Sequence, residues 1–438
     1  MATFSEDDVH KHLYANGLEA VIVDCPQLDL PEIEPTATAE QYADESDFQL
    51  WRIIKDRAIA KLGRLHGTIR YGTFVGTKIK LPTDNTRPME LDLIGTHEDG
   101  LFVLELKVER SAERNAFSEL LAYSNYIAGM FALSGHQDIT NVLVANIDNK
   151  ITKQAFLYDL LINERDIIVY RPSFSNGNLE SLQLDLYLPS DDDFRHFTND
   201  LLSHDAMACV VISFHDLDGW FDSEEEEGNL NDWTKEHLSA LSGYTAQLME
   251  AERLHGFCFI RKPWREIPRH HRNSLFICAL NPFRIAEPNR AEAILSQLDE
   301  REQVSFLETP EMAFDGRLIR LAQRAIKDCL TDDYSAEVET PYWGSIVTEL
   351  QEVVFTHNFA FRPTGMMREA FVGYLNDLYA REAAGEGWGE DVSMLKINEV
   401  NNWMRAWMFM EGCGFTANEV HDDDATGEVS GNLSMELD

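Results

Sequence analysis

The chain has 438 residues and a formal net charge of −39 at pH 7. That length exceeds one ordinary core and predicts two domains. An apolar content of 44% with 10% aromatics excludes a disordered chain, and the charge excludes general adhesion to DNA, so any nucleic-acid site must be a local basic groove.

The opening MATFSEDD is acidic, with no basic region ahead of an apolar run, so no secretory signal is expected. NYIAGMFAL is too short to span a membrane, and no membrane partner is expected. Six scattered cysteines without a C-x-x-C pair read as reduced thiols of a cytoplasmic protein. Residues 1–44 read as a short leading element and an acidic, Pro-rich connector. From residue 45 the period becomes helical: Phe48, Trp51, Ile54, Ala58 and Leu62 form one apolar stripe. GTIRYGTFVGTKIKL gives one or two extended segments. MELDLIG and LFVLELKVE are strands, separated by THEDG, whose Asp99-Gly100 is a hairpin signal. Then follow a long amphipathic helix (AERNAFSELLAYSNYIAGMFAL), a strand (ITNVLVANI), a helix (KQAFLYDLLINER) and a strand (DIIVYRP). The pattern continues to ACVVISF and predicts a mixed α/β domain over 45–221.

DSEEEEGNLND, 222–232, reads as an acidic linker. Residues 233–420 predict a mostly helical domain, with helices near 233–255, 289–300, 311–330, 344–357 and 365–383. The strand-like GFCFIR and SLFICAL sit among them. The acidic tail 421–438 lacks Lys and Arg and is expected to be disordered.

The chemistry concentrates in the two strands around THEDG. Alternate strand residues share a face, so Glu90 pairs in direction with Asp92, and Glu105 with Lys107. If the strands pair through the turn, Asp92 and Glu105 converge at one sheet edge. Two converging carboxylates make a hard-oxygen site for Mg²⁺, with Mn²⁺ as a substitute, and a metal there polarises a phosphodiester and activates water. Lys107 beside it can orient the water or stabilise transition-state charge. The plain alternative is a solvated strand face with an ordinary salt bridge.

Asp92 followed by Glu105-Leu-Lys107 resembles the PD-(D/E)xK nuclease superfamily. AFSELLAYSNYI, with Glu119 and Tyr123 one helical turn apart, resembles the Gln-x-x-x-Tyr helix of its RecB-type and archaeal-type single-strand-directed branches. Glu45 near the start of the preceding helix matches an acidic residue often found there, and Gln49 follows it. The similarity covers about residues 45–150. Two departures stand: no Pro directly precedes Asp92, and Glu119 replaces the usual Gln, adding a negative charge. The resemblance implies a restriction-endonuclease-like mixed-sheet core flanked by helices, followed by a mainly α-helical C-terminal domain. It implies a Mg²⁺-dependent endonuclease, DNA favoured over RNA as substrate, in genome defence or repair. Asp92 and Glu105 would hold the metal and Lys107 would assist the water. Glu45, Glu90, Glu119 and Tyr123 would stand behind them.

For nucleic-acid contact the sequence offers RKPWREIPRHHR, where Arg261, Lys262 and Arg265 flank Trp264, and the basic helix carrying Arg52, Lys55, Arg57, Lys61 and Arg64. The same cations could instead dock onto the chain's own acid. Two other readings stay open: an RNA-directed nuclease, and a nuclease-like scaffold whose acidic surface or C-terminal domain engages a protein partner as a DNA mimic. Oligomeric state is not legible. His215, Asp216 and Asp218 in SFHDLDGW read as a turn with a cap, GEGWGE lacks the strand a phosphate loop needs, and Trp403 and Trp407 read as helix core.

Overall fold

The computed structural model describes residues 4–28, 50–82, 89–108, 115–131, 135, 138–175, 177–198, 206–214, 232–261, 274–284, 288–330, 336–352, 358–385 and 400–412. The expected linker, except Asp232, lies outside the described residues, as do the acidic tail and His215, Asp216 and Asp218. The chain divides into two compact units near residue 200.

The first unit opens with α1 (Glu6–Asn16), started by a capping box in which Ser5 and Asp8 satisfy each other's backbone N–H groups. Its Val9 and Leu13 are fully buried. Then come α2 (Leu50–Arg70), β1 (Thr73–Leu81), β2 (Met89–His97), β3 (Gly100–Lys107), α3 (Ala116–Ala128), β4 (Ile139–Ala145), α4 (Lys150–Leu161), β5 (Ile167–Phe174), β6 (Leu182–Leu186) and α5 (Asp191–Thr198). The strands form one six-stranded sheet in sequential order. β1, β2 and β3 make an antiparallel meander. β4 and β5 then run parallel to β3, and β6 returns antiparallel. Parallel neighbours need crossovers, which α3 and α4 supply. The expected mixed α/β domain is therefore present. Every residue of β4 is buried, as a central strand covered on both faces requires.

Two glycines in the meander are there for space. Gly100, at φ +155°, sits under Asp138, whose carbonyl oxygen would lie 2.6 Å from a Cβ. At Gly95 a Cβ would fall 2.2 Å from the Phe102 ring and 2.6 Å from the Thr73 carbonyl oxygen. Phe102 is fully buried beside Leu104 and Leu106.

The second unit contains β7 (Met207–Phe214), α6 (Asp232–Ala251), β8 (Gly256–Arg261), β9 (Ser274–Leu280), α7 (Pro288–Leu295), α8 (Glu300–Cys329), β10 (Ala336–Glu339), α9 (Trp343–Glu352), β11 (Asn358–Thr364), α10 (Gly365–Ala383) and α11 (Val400–Gly412). It differs from the expected helical domain in having a five-stranded sheet, ordered β10-β7-β9-β8-β11. All its pairings are antiparallel. The expected boundary at 221 also moves: ACVVISF, assigned to the first domain, is β7, which pairs with β9 along Met207–Ser213. α8 runs through Pro310, where the sequence reading placed a break between two helices. The flanking residues are mostly exposed there, so water can satisfy the carbonyl that loses its N–H partner.

Phe257, Phe259, Phe276, Phe361 and Trp403 form a connected ring cluster in this unit. Trp403 and Trp407 are core residues, as their spacing suggested. Among the described residues no helix is long and apolar enough to cross a membrane.

Gly95→Ala should destabilise the first unit by about 2 kcal/mol, because the backbone oxygen of Thr73 cannot retreat as a side chain can. Urea unfolding followed by circular dichroism measures this. An unchanged midpoint would mean that the Phe102 ring turns aside at no cost.

Candidate active site

Strand register assembles the site. Thr77 opposite Leu93 and Ile79 opposite Leu91 bracket Lys78 opposite Asp92. Leu93 pairs with Leu104, and one step further along that ladder sets Asp92 against Glu105. Opposed residues on adjacent strands share a face. Lys78, Asp92 and Glu105 therefore form one charged rung across β1, β2 and β3. The strand alternation predicts the two acids from sequence, but not the lysine.

Asp92 is 9% exposed and Glu105 3%. Asp92 accepts from Lys78 Nζ at 2.9 Å through Oδ1 and from the Leu106 backbone N–H at 3.0 Å through Oδ2. Its own carbonyl oxygen lies 3.1 Å from Nε2 of the buried His10, which also lies 2.9 Å from Thr77 Oγ1. Glu105 Oε1 accepts from Lys107 Nζ, while Glu105 Oε2 is buried with no hydrogen-bond partner. The first turn of α3 brings Glu119 Oε2 to 2.9 Å from Lys107 Nζ. One turn on, Tyr123 donates its hydroxyl to the Glu90 backbone oxygen at 2.9 Å.

The electrostatics follow from burial and like charge. Burial, then the facing Asp92 carboxylate, push Glu105 up to about 8 against the pull of Lys107. Burial pulls Lys107 down, but its hydrogen bonds and attraction to Glu105 and Glu119 outweigh that and hold the ammonium above its ordinary range. Burial also opposes the charge on Lys78, and its hydrogen bond to Asp92 overrides it, leaving that pKa raised. Lys78 adopts a left-handed φ of +48°, uncommon for a residue with a side chain and found where surrounding structure enforces it.

Among the described residues no group of three or more His, Cys, Asp or Glu side chains is placed to hold a metal. The acid pair nevertheless fits Mg²⁺, which takes one or two carboxylates, retains waters and shares substrate phosphates. A cation bound there would give the orphaned Glu105 Oε2 a partner and offset the burial and the Asp92 repulsion that raise Glu105. Asp92 and Glu105 would be its ligands. Glu119 is bonded to Lys107, and the Glu90 side chain is exposed, its backbone oxygen serving Tyr123. Tyr123 itself is buried.

The other expected residues distribute differently. Glu45, Lys262, Trp264 and Arg265 lie outside the described residues. Arg261 ends β8 as a buried residue, its guanidinium 6.0 Å from the centre of the Phe276 ring. Most cations of α2 face the unit's own acids. Lys55 pairs with Asp191 at 2.7 Å and Arg57 with Glu164. Lys61 and Arg64 both reach the buried Asp166, at 3.4 and 2.8 Å. Arg52 is exposed, 5.7 Å from the Trp51 ring centre. The sequence offered one hint of Lys78, its alternation with Lys80 along TKIKL, but its place opposite Asp92 follows only from the register of β1 on β2. His10 had none, because it reaches the site from α1, more than eighty residues away in sequence.

No family model, curated protein or solved structure matches this chain.

The metal-free protein should lose stability as pH rises. Folded Glu105 keeps its proton to about pH 8, whereas an unfolded glutamate releases it near 4.5. Folding therefore gains from protonation below pH 4.5, and that gain disappears as pH rises through 8, by on the order of a few kcal/mol. Glu105→Gln should flatten this slope and raise stability at pH 8. Denaturant unfolding of both proteins across that pH range checks it, and parallel slopes would refute it.

Proposed function

We propose that the protein is a metal-dependent phosphodiesterase acting on nucleic acid, DNA in preference to RNA. The observation that carries this is the facing of Asp92 and Glu105 across β2 and β3, with Lys107 bonded to Glu105 and one carboxylate oxygen left buried and unpaired. The succession of α2, a three-strand meander, α3 and the parallel β4 supports a restriction-endonuclease-like core around that pair.

A divalent cation held by Asp92 and Glu105 would polarise the phosphodiester and lower the pKa of a bound water. The protein's own groups supply the rest. Lys107, kept charged by Glu105 and Glu119, presents a fixed positive charge toward the oxygens that gain charge during cleavage. Glu119 acts through that lysine, which accommodates its departure from the usual Gln. Tyr123 ties α3 to the backbone of β2 and holds the helix over the site. Lys78 occupies Asp92 Oδ1 and has a more exposed side chain than the acid, so it can swing away.

A second function is favoured by one observation: the pairing of Lys55, Arg57, Lys61 and Arg64 with the chain's own carboxylates. With those cations occupied and a net charge of −39, an acidic scaffold that binds a basic protein partner is the competitor.

One experiment separates them. Plasmid, single-stranded DNA and RNA are incubated with the full chain in Mg²⁺, Mn²⁺ or EDTA. The nuclease cleaves at least one substrate with metal, stops in EDTA, and loses at least a hundredfold in rate in Asp92→Asn and in Glu105→Gln, since removing one metal-binding charge costs roughly 3 kcal/mol of transition-state stabilisation. Cleavage by both variants at the wild-type rate would place the chemistry elsewhere, and no cleavage of any substrate would favour the scaffold.

Lys78→Met frees Asp92 Oδ1 and removes a competing cation. It should tighten Mn²⁺ binding about tenfold, a change of about 1.4 kcal/mol, whereas Asp92→Asn should weaken it. Calorimetric titration of Mn²⁺ reads both, and weaker binding by Lys78→Met would contradict the competition.

A further inference from the structure

The second unit holds one arginine whose placement the first unit's chemistry does not use. Arg362, on β11, is half-buried and lines an open cleft of about 600 Å³ beside α6. The cleft is lined by Glu236, Ser239, Gly243, Tyr244, Gln247 and Arg362. Among the described residues the guanidinium makes one hydrogen bond, from Nη2 to Ser239 Oγ at 3.2 Å. Among the described residues it pairs with no carboxylate, in a chain with 76 acidic residues. Burial alone pulls its pKa below the ordinary arginine range, with Cys258 the only group acting the other way. A half-buried guanidinium bonded to one serine keeps several N–H donors free to receive an anion.

The covering helix is shaped to leave that cation reachable. Gly243 sits near the middle of α6, where glycine costs about 1 kcal/mol relative to alanine. Its backbone does not need glycine, since its φ is not positive. Packing does not need it either: a Cβ there would stand 3.8 Å from Arg362 Nε and 3.9 Å from Nη2, ordinary contact distances. What the missing Cβ does is keep open the space in front of the guanidinium. Ser239, one turn earlier, accepts from Arg362 and retains its hydroxyl proton to donate. Tyr244 forms a fixed wall, its hydroxyl donated to Asp328 at 2.6 Å. Glu236 is exposed in the same cleft and disfavours a second anionic group at its end.

We propose that this cleft binds a small ligand through a single anionic group, carboxylate or phosphate, received by Arg362 and Ser239. The cleft is open to solvent and has room for a small molecule anchored by its anionic group. The site is independent of the phosphodiesterase assigned to the first unit, and neither depends on the other.

The test is a titration of the full chain with inorganic phosphate and, separately, with acetate, at ionic strength held constant with chloride. Binding is read as a rise in the thermal midpoint of the second unit. At least one anion should give a saturable rise, identifying which head group the site takes. Arg362→Met should abolish that rise. Gly243→Ala should melt a few degrees higher than wild type without ligand, yet bind at least tenfold more weakly, since the added methyl covers the guanidinium. Glu236→Gln should bind more tightly. Because Gly243→Ala is expected to stabilise the fold, the proposal stays testable even if Arg362→Met fails to fold. No saturable response to either anion overturns it. So does a wild-type response in either the Arg362 or the Gly243 variant, which would put the anion elsewhere. Saturable binding of a short oligothymidylate through Arg362, without response to phosphate or acetate, would replace the small ligand with a nucleic acid.

Discussion

Two buried carboxylates face each other across adjacent strands, and much of the first unit exists to make that tolerable. Neither acid could be held there alone. Asp92 is balanced by Lys78 and by the Leu106 N–H group. Glu105 is balanced by Lys107, which is itself steadied by Glu119 from α3. The arrangement depends on register. A slip of one residue between β2 and β3 would turn Glu105 and Lys107 away from Asp92, to the face that Phe102, Leu104 and Leu106 now occupy. The tight turn at Glu98–Asp99 and the unsubstituted Gly95 and Gly100 prevent such a slip by fixing where the strands begin and how closely they pack.

The same acids account for the distribution of basic residues. In a chain this acidic, cations are scarce, and in the first unit most of those on α2 secure carboxylates rather than face outward. Asp166 draws both Lys61 and Arg64 to one buried point. Arg362 in the second unit is the contrast: a cation held by a serine and, among the described residues, paired with no carboxylate.

How much of this was legible in the sequence varied with the range of the interaction. The β2–β3 pair was readable because alternation and an Asp-Gly turn are local, and local pattern fixes which side chains share a face. GFCFIR and SLFICAL were readable as strands for the same reason, and their observed bounds coincide. Lys78 was not, because its place opposite Asp92 depends on a register shift between Phe74 and Gly76 that no composition reveals. The second sheet was hidden for a different reason. β7 is separated from its partner β9 by about sixty residues, and β11 carries Arg362 and Pro363, which weaken any strand signal. Pro310 misled in the other direction, since a proline on an exposed stretch of a long helix need not end it.

The register shift in β1 has another effect. Among the described residues β1 is an open edge of the first sheet, whereas β6 is flanked by the Val21–Val23 segment through hydrogen bonds with Leu184. An open edge of nine residues is a template on which a foreign strand could polymerise. Here the template is spoiled: the ladder is broken near Gly76, the backbone at Lys78 turns left-handed, and Lys78 and Lys80 add charge. The distortion that delivers an ammonium to Asp92 thus also guards the molecule against edge-to-edge aggregation, so a substitution that relaxed β1 into a regular strand would endanger solubility as well as chemistry.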